Sequence, residues 1–315
     1  MWRLLASLTL ALAACAPAAD PSGWHLVPGS FEPGRGPDGN SLFIEAPEGL
    51  ILVDTGRHPG HQEKLLAYAR LLGKPIAAIV NTHWHLDHTG GNAEIRAAYP
   101  KAPVYGSTAV EGALTGFFPQ SRKSAEEFLA SGQASAALRA EIERDFAAMD
   151  DVAALRASRP VVRSGEVRIA GRKLALNLAP FAATERDVWI YDERSKLLIA
   201  GDLVVGLVPF FDTGCPQGWR KALDRLAATP FATLIPGHGE PMSRQRFGQW
   251  RRAFNNLLDC AASKQSKESC VAGWKRDAAP FIPAGQRVDG MVGYYLDSRL
   301  RAAPEQRDRF CRPLR

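Results

Sequence analysis

The ten residues Thr82-His83-Trp84-His85-Leu86-Asp87-His88-Thr89-Gly90-Gly91 constrain this chain more than any other stretch. Three of the seven histidines in the whole sequence and one aspartate fall between His83 and His88, just after the apolar run Ile76 to Val80. An imidazole offers a neutral, borderline-soft nitrogen and a carboxylate a hard oxygen. A mixed cluster of this kind therefore suits zinc and, less specifically, iron or manganese. A solvated polar loop needs no such crowding. The run before the cluster is long enough for a short strand, whose end would deliver these side chains to one place.

Composition narrows the class. At 315 residues, 46% hydrophobic and 23% charged, the chain can bury one large core or two modest ones, which excludes disordered and fibrous classes. A formal charge of +6 would suit an anionic partner, but the basic residues are scattered among 33 acidic ones with no basic block, so no nucleic-acid partner is expected. Residues 1–15 read as an export signal: Met1-Trp2-Arg3 is a short charged start and Leu4 to Ala13 an apolar segment too short for a permanent anchor. Within it Leu12-Ala13-Ala14-Cys15 resembles a bacterial lipobox, which makes Cys15 a lipidation candidate and the one expected link to a membrane. Cleavage after Ala16-Pro17-Ala18 is the rival. Either way the protein is expected to be exported to the periplasm. Four cysteines remain, Cys215, Cys260, Cys270 and Cys311, enough for two disulfides in three pairings; Cys260 with Cys270 closes a short loop and leaves Cys215 with Cys311.

Along the chain, residues 16–40 read as an extended, Pro- and Gly-rich linker. Ser41 to Glu45 and Leu50 to Val53 form a hairpin around Pro47-Glu48-Gly49. Asp54-Thr55-Gly56 follows, then a helix from about His61 to Leu72, the strand Ile76 to Val80, the histidine stretch, and a helix from Gly91 to Tyr99. Residues 119–159 lack strand formers, and Phe128, Leu138, Ile142, Phe146 and Met149 recur at helical spacing, so a helical insertion is expected there, as a lid, a substrate wall or added packing. Strands return at Val161-Val162, Val167 to Ile169, Leu174 to Leu178, Val188 to Tyr191 and Leu197 to Ala200. The last runs into Gly201-Asp202, and a further strand ends in Leu234-Ile235-Pro236-Gly237-His238-Gly239. A helix with Phe247, Trp250, Phe254 and Leu257 on one stripe is expected to be core. Residues 261–315 form a C-terminal extension to which no chemistry is assigned.

The order Val53-Asp54-Thr55-Gly56, helix, strand, His-x-His-x-Asp-His, Gly201-Asp202 and Pro236-Gly237-His238-Gly239 resembles the metallo-β-lactamase superfamily. That resemblance implies an α/β (α+β) fold: an αββα sandwich of two mixed sheets flanked by helices, here over residues 41–260. It implies a first metal held by His83 and His85 and a second held by Asp87, His88 and His238, with Asp202 bridging. Asp54 would orient a ligand imidazole, although a plain turn cap after the strand explains it equally well. The family's third first-site histidine precedes a Thr-x-x-Asp step; here that step is Thr184 to Asp187, and Ala183 stands where the ligand belongs. The stretch Val208 to Leu226 is similar to an exported subgroup associated with quinoprotein systems.

The expectation is therefore a zinc hydrolase with one ion, or two as the alternative, dominated by the second site. It would use a metal-activated water on an ester, lactam or thioester-like bond of a small molecule, with Asp87 as the catalytic carboxylate. The alternatives are a catalytically weakened, metal-binding accessory protein of a periplasmic quinoprotein system, and a mononuclear iron enzyme that oxidises sulfur compounds.

Overall fold

The computed structural model describes residues 23–31 and 35–312; the expected export signal and Cys15 lie outside the described residues. Two six-stranded sheets face one another. The first runs β1 (Trp24–Val27), β2 (Ser41–Ala46), β3 (Gly49–Val53), β4 (Ile76–Val80), β5 (Val104–Gly106) and β6 (Arg159–Pro160), in that spatial order. The second holds β7 (Gly165–Ile169), β8 (Arg172–Pro180), β9 (Arg186–Asp192), β10 (Leu197–Val205), β11 (Thr233–His238) and β12 (Met242–Ser243), again adjacent in sequence order. Both are mixed. β3, β4, β5 and β6 pair in parallel, as do β10 and β11, and the remaining pairs are antiparallel.

The two-residue period of a strand sorts the side chains into layers. Leu42, Ile44, Ile51 and Val53 point between the sheets, where they meet Leu174, Leu176, Val188 and Ile190 of the second sheet. Their neighbours Phe43, Leu50 and Leu52 point outward, onto Leu65 and Ala69 of the helix Pro59–Leu71 and Ile95 of the helix Asn92–Ala98. The outer face of the second sheet is covered in the same way by Trp219 and Leu223 of the helix Pro216–Ala228 and by Trp250, Phe254 and Leu257 of the helix Arg244–Ala262. The result is the expected αββα sandwich, and the aromatic stripe is core.

Three features differ in detail. The helical insertion begins earlier than position 119, at Val110, and splits into the helices Phe118–Ala130, Ala136–Asp150 and Val152–Leu155, so the apolar positions from Phe128 to Met149 do not share one face. Val161-Val162 lies just past β6 and is not a strand; Val162 is exposed. β10 does not stop at Gly201-Asp202 but bulges there and continues to Val205, because Gly201 adopts a positive φ of 52° that shifts its register against β11. The bulge points Asp202 toward the open end of the sandwich. The cysteines pair as Cys260–Cys270 and Cys215–Cys311.

Candidate metal centre

β3, β4 and β11 release their chains at the same edge of the sandwich, which is where parallel strands commonly present ligand-binding residues. Asp54 follows β3, the histidine stretch follows β4, and His238 is the last residue of β11. Together with Asp202 from the β10 bulge, these side chains form two overlapping groups. In one, Asp87, His88, Asp202 and His238 have ligand atoms within 4.8 Å of one another; in the other, His83, His85 and Asp202 do. All are buried. Asp202 lies between the groups, with Oδ1 3.2 Å from His88 Nε2 and 3.5 Å from His238 Nε2, and Oδ2 3.7 Å from His83 Nε2.

Hydrogen bonding to the far side of the His83 and His88 rings fixes which nitrogen faces inward. Asp54 is the hub. Its Oδ2 takes His88 Nδ1 at 2.8 Å and the Thr82 hydroxyl at 2.7 Å, and its Oδ1 takes the Thr82 N–H at 2.8 Å. Having given its proton to Asp54, the Thr82 oxygen accepts from His83 Nδ1 at 3.0 Å. His88 and His83 therefore turn Nε2 inward, the nitrogen a metal would take. Glycines make room for this arrangement: a Cβ at Gly39 would come within 2.4 Å of the His88 ring, and one at Gly237 within 2.0 Å of Asp202 Oδ1. Asn40 holds the turn that carries His238, donating to Pro236 O at 2.9 Å and Gly239 O at 2.8 Å.

The electrostatics ask for a cation. Three buried carboxylates, Asp54, Asp87 and Asp202, face the imidazoles. Burial alone would push His88 down, yet Asp202, Asp87 and Asp54 hold it well above the usual histidine range. Burial opposes ionisation of Asp87, but His88 and His238 hold it well below the usual carboxylate range. His85, affected mainly by burial, falls to about 4. Asp202 Oδ1 faces two imidazole nitrogens at once, His88 Nε2 at 3.2 Å and His238 Nε2 at 3.5 Å, and these two nitrogens converge at 3.3 Å beside it. His238 Nδ1 is buried with no hydrogen-bond partner among the described residues. The donor set of two imidazoles and two carboxylates fits a divalent ion.

Ala183 is buried and offers only its carbonyl, to the Thr213 hydroxyl at 2.9 Å. No other histidine among the described residues joins either group. His58 bonds Asp38 at 2.9 Å, His61 bonds Ser41 at 2.8 Å and His25 bonds Glu45 at 2.9 Å, all outside both groups. Thr213 and Asn40 escaped the sequence reading, because a threonine or asparagine in a loop carries no spacing signal.

The centre lies in the floor of a cavity of about 620 Å³. The insertion supplies Phe117 and Phe118, and the C-terminal extension, to which the sequence assigns no chemistry, supplies Arg287 and Met291. Residues 34–238 match the metallo-beta-lactamase superfamily. The chain belongs to this superfamily. Similar proteins include a linear primary-alkylsulfatase from Pseudomonas sp., 30% identical over 227 residues, with the match covering 64% of this chain but only 41% of that protein. A hydroxyacylglutathione hydrolase from Synechococcus sp. is 43% identical over 228 residues, 72% of each chain. Among solved structures, a metallo-beta-lactamase family protein from Thermus thermophilus superposes with a TM-score of 0.58 at 19% identity, covering 87% of this chain and 93% of that one. Superfamily membership makes this a hydrolase-type scaffold with a candidate metal centre.

Proposed function

We propose that this protein is a zinc-dependent hydrolase of ester-like bonds, in which the Asp87, His88, Asp202 and His238 group holds the dominant ion. The observation that carries the reading is the convergence of those four residues, with Asp202 Oδ1 between His88 Nε2 and His238 Nε2, on the floor of the cavity. A divalent ion held there would supply Lewis-acid polarisation of the substrate oxygen and would lower the pKa of water from 15.7 to about 7. Asp87, whose Oδ2 lies 3.0 Å from His238 Nε2, would accept the proton of the attacking water and return it to the leaving-group heteroatom as its bond to the substrate breaks. Trp84, Phe117, Phe118 and Phe210 exclude bulk water and seat the apolar part of the substrate, while Arg287 at the rim favours an acidic group. Thioesters and alkyl sulfate esters are the first substrates to try, from the names of the relatives. The two disulfides support a location in an oxidising, exported compartment such as the periplasm.

Ala183 favours one second reading: a metal-binding accessory protein that no longer turns over substrate, partnered with a periplasmic quinoprotein. Metal analysis of protein purified without added zinc, followed by assay of thioesters, carboxylic esters and alkyl sulfates, separates the two. About one zinc per chain, with hydrolysis abolished in His238→Ala, is expected. Tight zinc with no turnover on any of the three classes would establish the accessory reading, and absence of any bound transition metal would overturn both.

A further inference from the structure

We propose that Thr213 is a positioning residue for the His83 and His85 pair: with the Ala183 carbonyl, it holds His85 in the tautomer that turns a bare Nδ1 toward His83. The inference rests on the metal-centre reading above and concerns the side of the centre that lacks its third imidazole. A threonine hydroxyl has one proton to give. Thr213 Oγ1 lies 2.9 Å from Ala183 O, and a carbonyl can only accept, so the proton is directed there. The hydroxyl oxygen must then accept from its other neighbour, His85 Nε2, at 3.0 Å. His85 thus carries its proton on Nε2 and presents a bare Nδ1. That atom lies 3.0 Å from His83 Nε2, which the Thr82 and Asp54 chain has stripped of its proton from the opposite direction. A cation between or beside these nitrogens would meet both lone pairs, and Asp202 supplies the carboxylate next to both.

Thr213 cannot drift. It is buried, and the residue before it, Asp212, accepts from Arg299 Nε at 2.8 Å and from the Tyr294 hydroxyl at 3.1 Å. Two residues on, Cys215 is bonded to Cys311 and donates its N–H to Ala182 O at 2.8 Å. The His85 ring is held edge-on between Trp84 and Phe210, at centroid distances of 4.5 and 5.3 Å. Ala183 contributes a carbonyl that sets the hydroxyl, and the hydroxyl sets His85.

Nitrogen-15 NMR of the imidazoles in metal-free wild type tests this without any ion. The expected result is a proton on His85 Nε2; a proton on Nδ1 overturns the proposal, whatever the variants do. Zinc titration of Thr213→Val and Thr213→Ser extends the test. In Thr213→Val the first equivalent, at Asp87, His88, Asp202 and His238, should bind as in wild type, while the second weakens by roughly ten- to a hundred-fold, the range found when groups that orient metal ligands are removed. Thr213→Ser should restore both the second equivalent and the Nε2 proton. A Thr213→Val protein that keeps the Nε2 proton and wild-type affinity for both equivalents would overturn the proposal. Failure of wild type to bind even the first equivalent would count against the metal-centre reading alone, because the tautomer is measured independently.

Discussion

Asp38 illustrates what one buried carboxylate contributes beside the centre. Its Oδ1 accepts the backbone N–H groups of Arg57 and His58 at 2.7 and 2.9 Å, and its Oδ2 the His58 ring at 2.9 Å. Burial alone would raise its pKa, but the bonds from His58 and Arg57 and the charge of His58 lower it to about 2. A folded-state pKa below the unfolded value means that the stabilisation is complete above about pH 4 and is lost as pH falls through about 2. At about 1.4 kcal/mol per pH unit, the contribution at neutral pH is about 2 kcal/mol. Urea denaturation of Asp38→Asn should show that deficit at pH 7 and a progressively smaller one between pH 4 and pH 2; a gap that stays constant down to pH 3 would refute the assignment. At this scale the imidazoles that the fold brings together were legible as a cluster in the sequence, because histidine is scarce and His83, His85 and His88 are tightly spaced. Asp38, Asn40 and Thr213 were not. Their roles depend on which backbone groups and rings the fold brings against them, and nothing in their own neighbourhoods along the chain records that.

Among the elements, the C-terminal extension changes most in meaning. Read along the sequence it was a tail with prolines, aromatics and paired cysteines. In the fold its helix Asp289–Tyr295 lines the cavity through Met291 and restrains the loop that carries Thr213. The signal was hidden because the tail reaches the site only through long-range contacts, such as Trp274 Nε1 with Leu207 O at 3.1 Å and Leu207 N with Phe281 O at 3.2 Å. The insertion was legible as helical but not in its boundaries: its periodicity spans two helices joined at Ser131 to Ser135, and short turns rarely announce themselves in apolar spacing. The two disulfides should differ in their effect on stability. Cys215 and Cys311 are 96 residues apart and Cys260 and Cys270 only 10, so loop-closure entropy puts their contributions at about 5 and about 3 kcal/mol. Replacing each pair by serines and comparing urea midpoints should reveal the larger loss for the Cys215 and Cys311 pair, and only that variant should also weaken the second zinc equivalent. The reverse order would show that the tail is not what holds the loop.

For the whole molecule, the decisive fact is that the candidate ligands come from both sheets. Asp87 and His88 follow β4 of the first, and Asp202 and His238 belong to the second. An ion held by all four is bound by the folded chain and not by the unfolded one, so it stabilises by mass action, about 4 kcal/mol at a thousandfold excess over its dissociation constant. Removing metal with a chelator should therefore lower the melting temperature, zinc should restore it, and His238→Ala should melt at the same temperature with or without chelator. A wild-type melting temperature indifferent to the chelator would sink the idea that the ion clamps the sheets. This architecture was the most legible level of all: the alternation in Leu174, Leu176 and Leu178 expresses the two-residue period directly, and the motif order carries the resemblance that implies two facing sheets. The Cys215 and Cys311 bridge has a consequence for the order of assembly. Every candidate ligand through His238 precedes Cys311 in the chain, so as an exported chain emerges into its oxidising compartment the sandwich can form while one side of its cavity is still absent. Cys215 must then wait for its partner, and until the bridge closes the protein is an open vessel, its candidate metal centre assembled before the cavity can enclose a substrate.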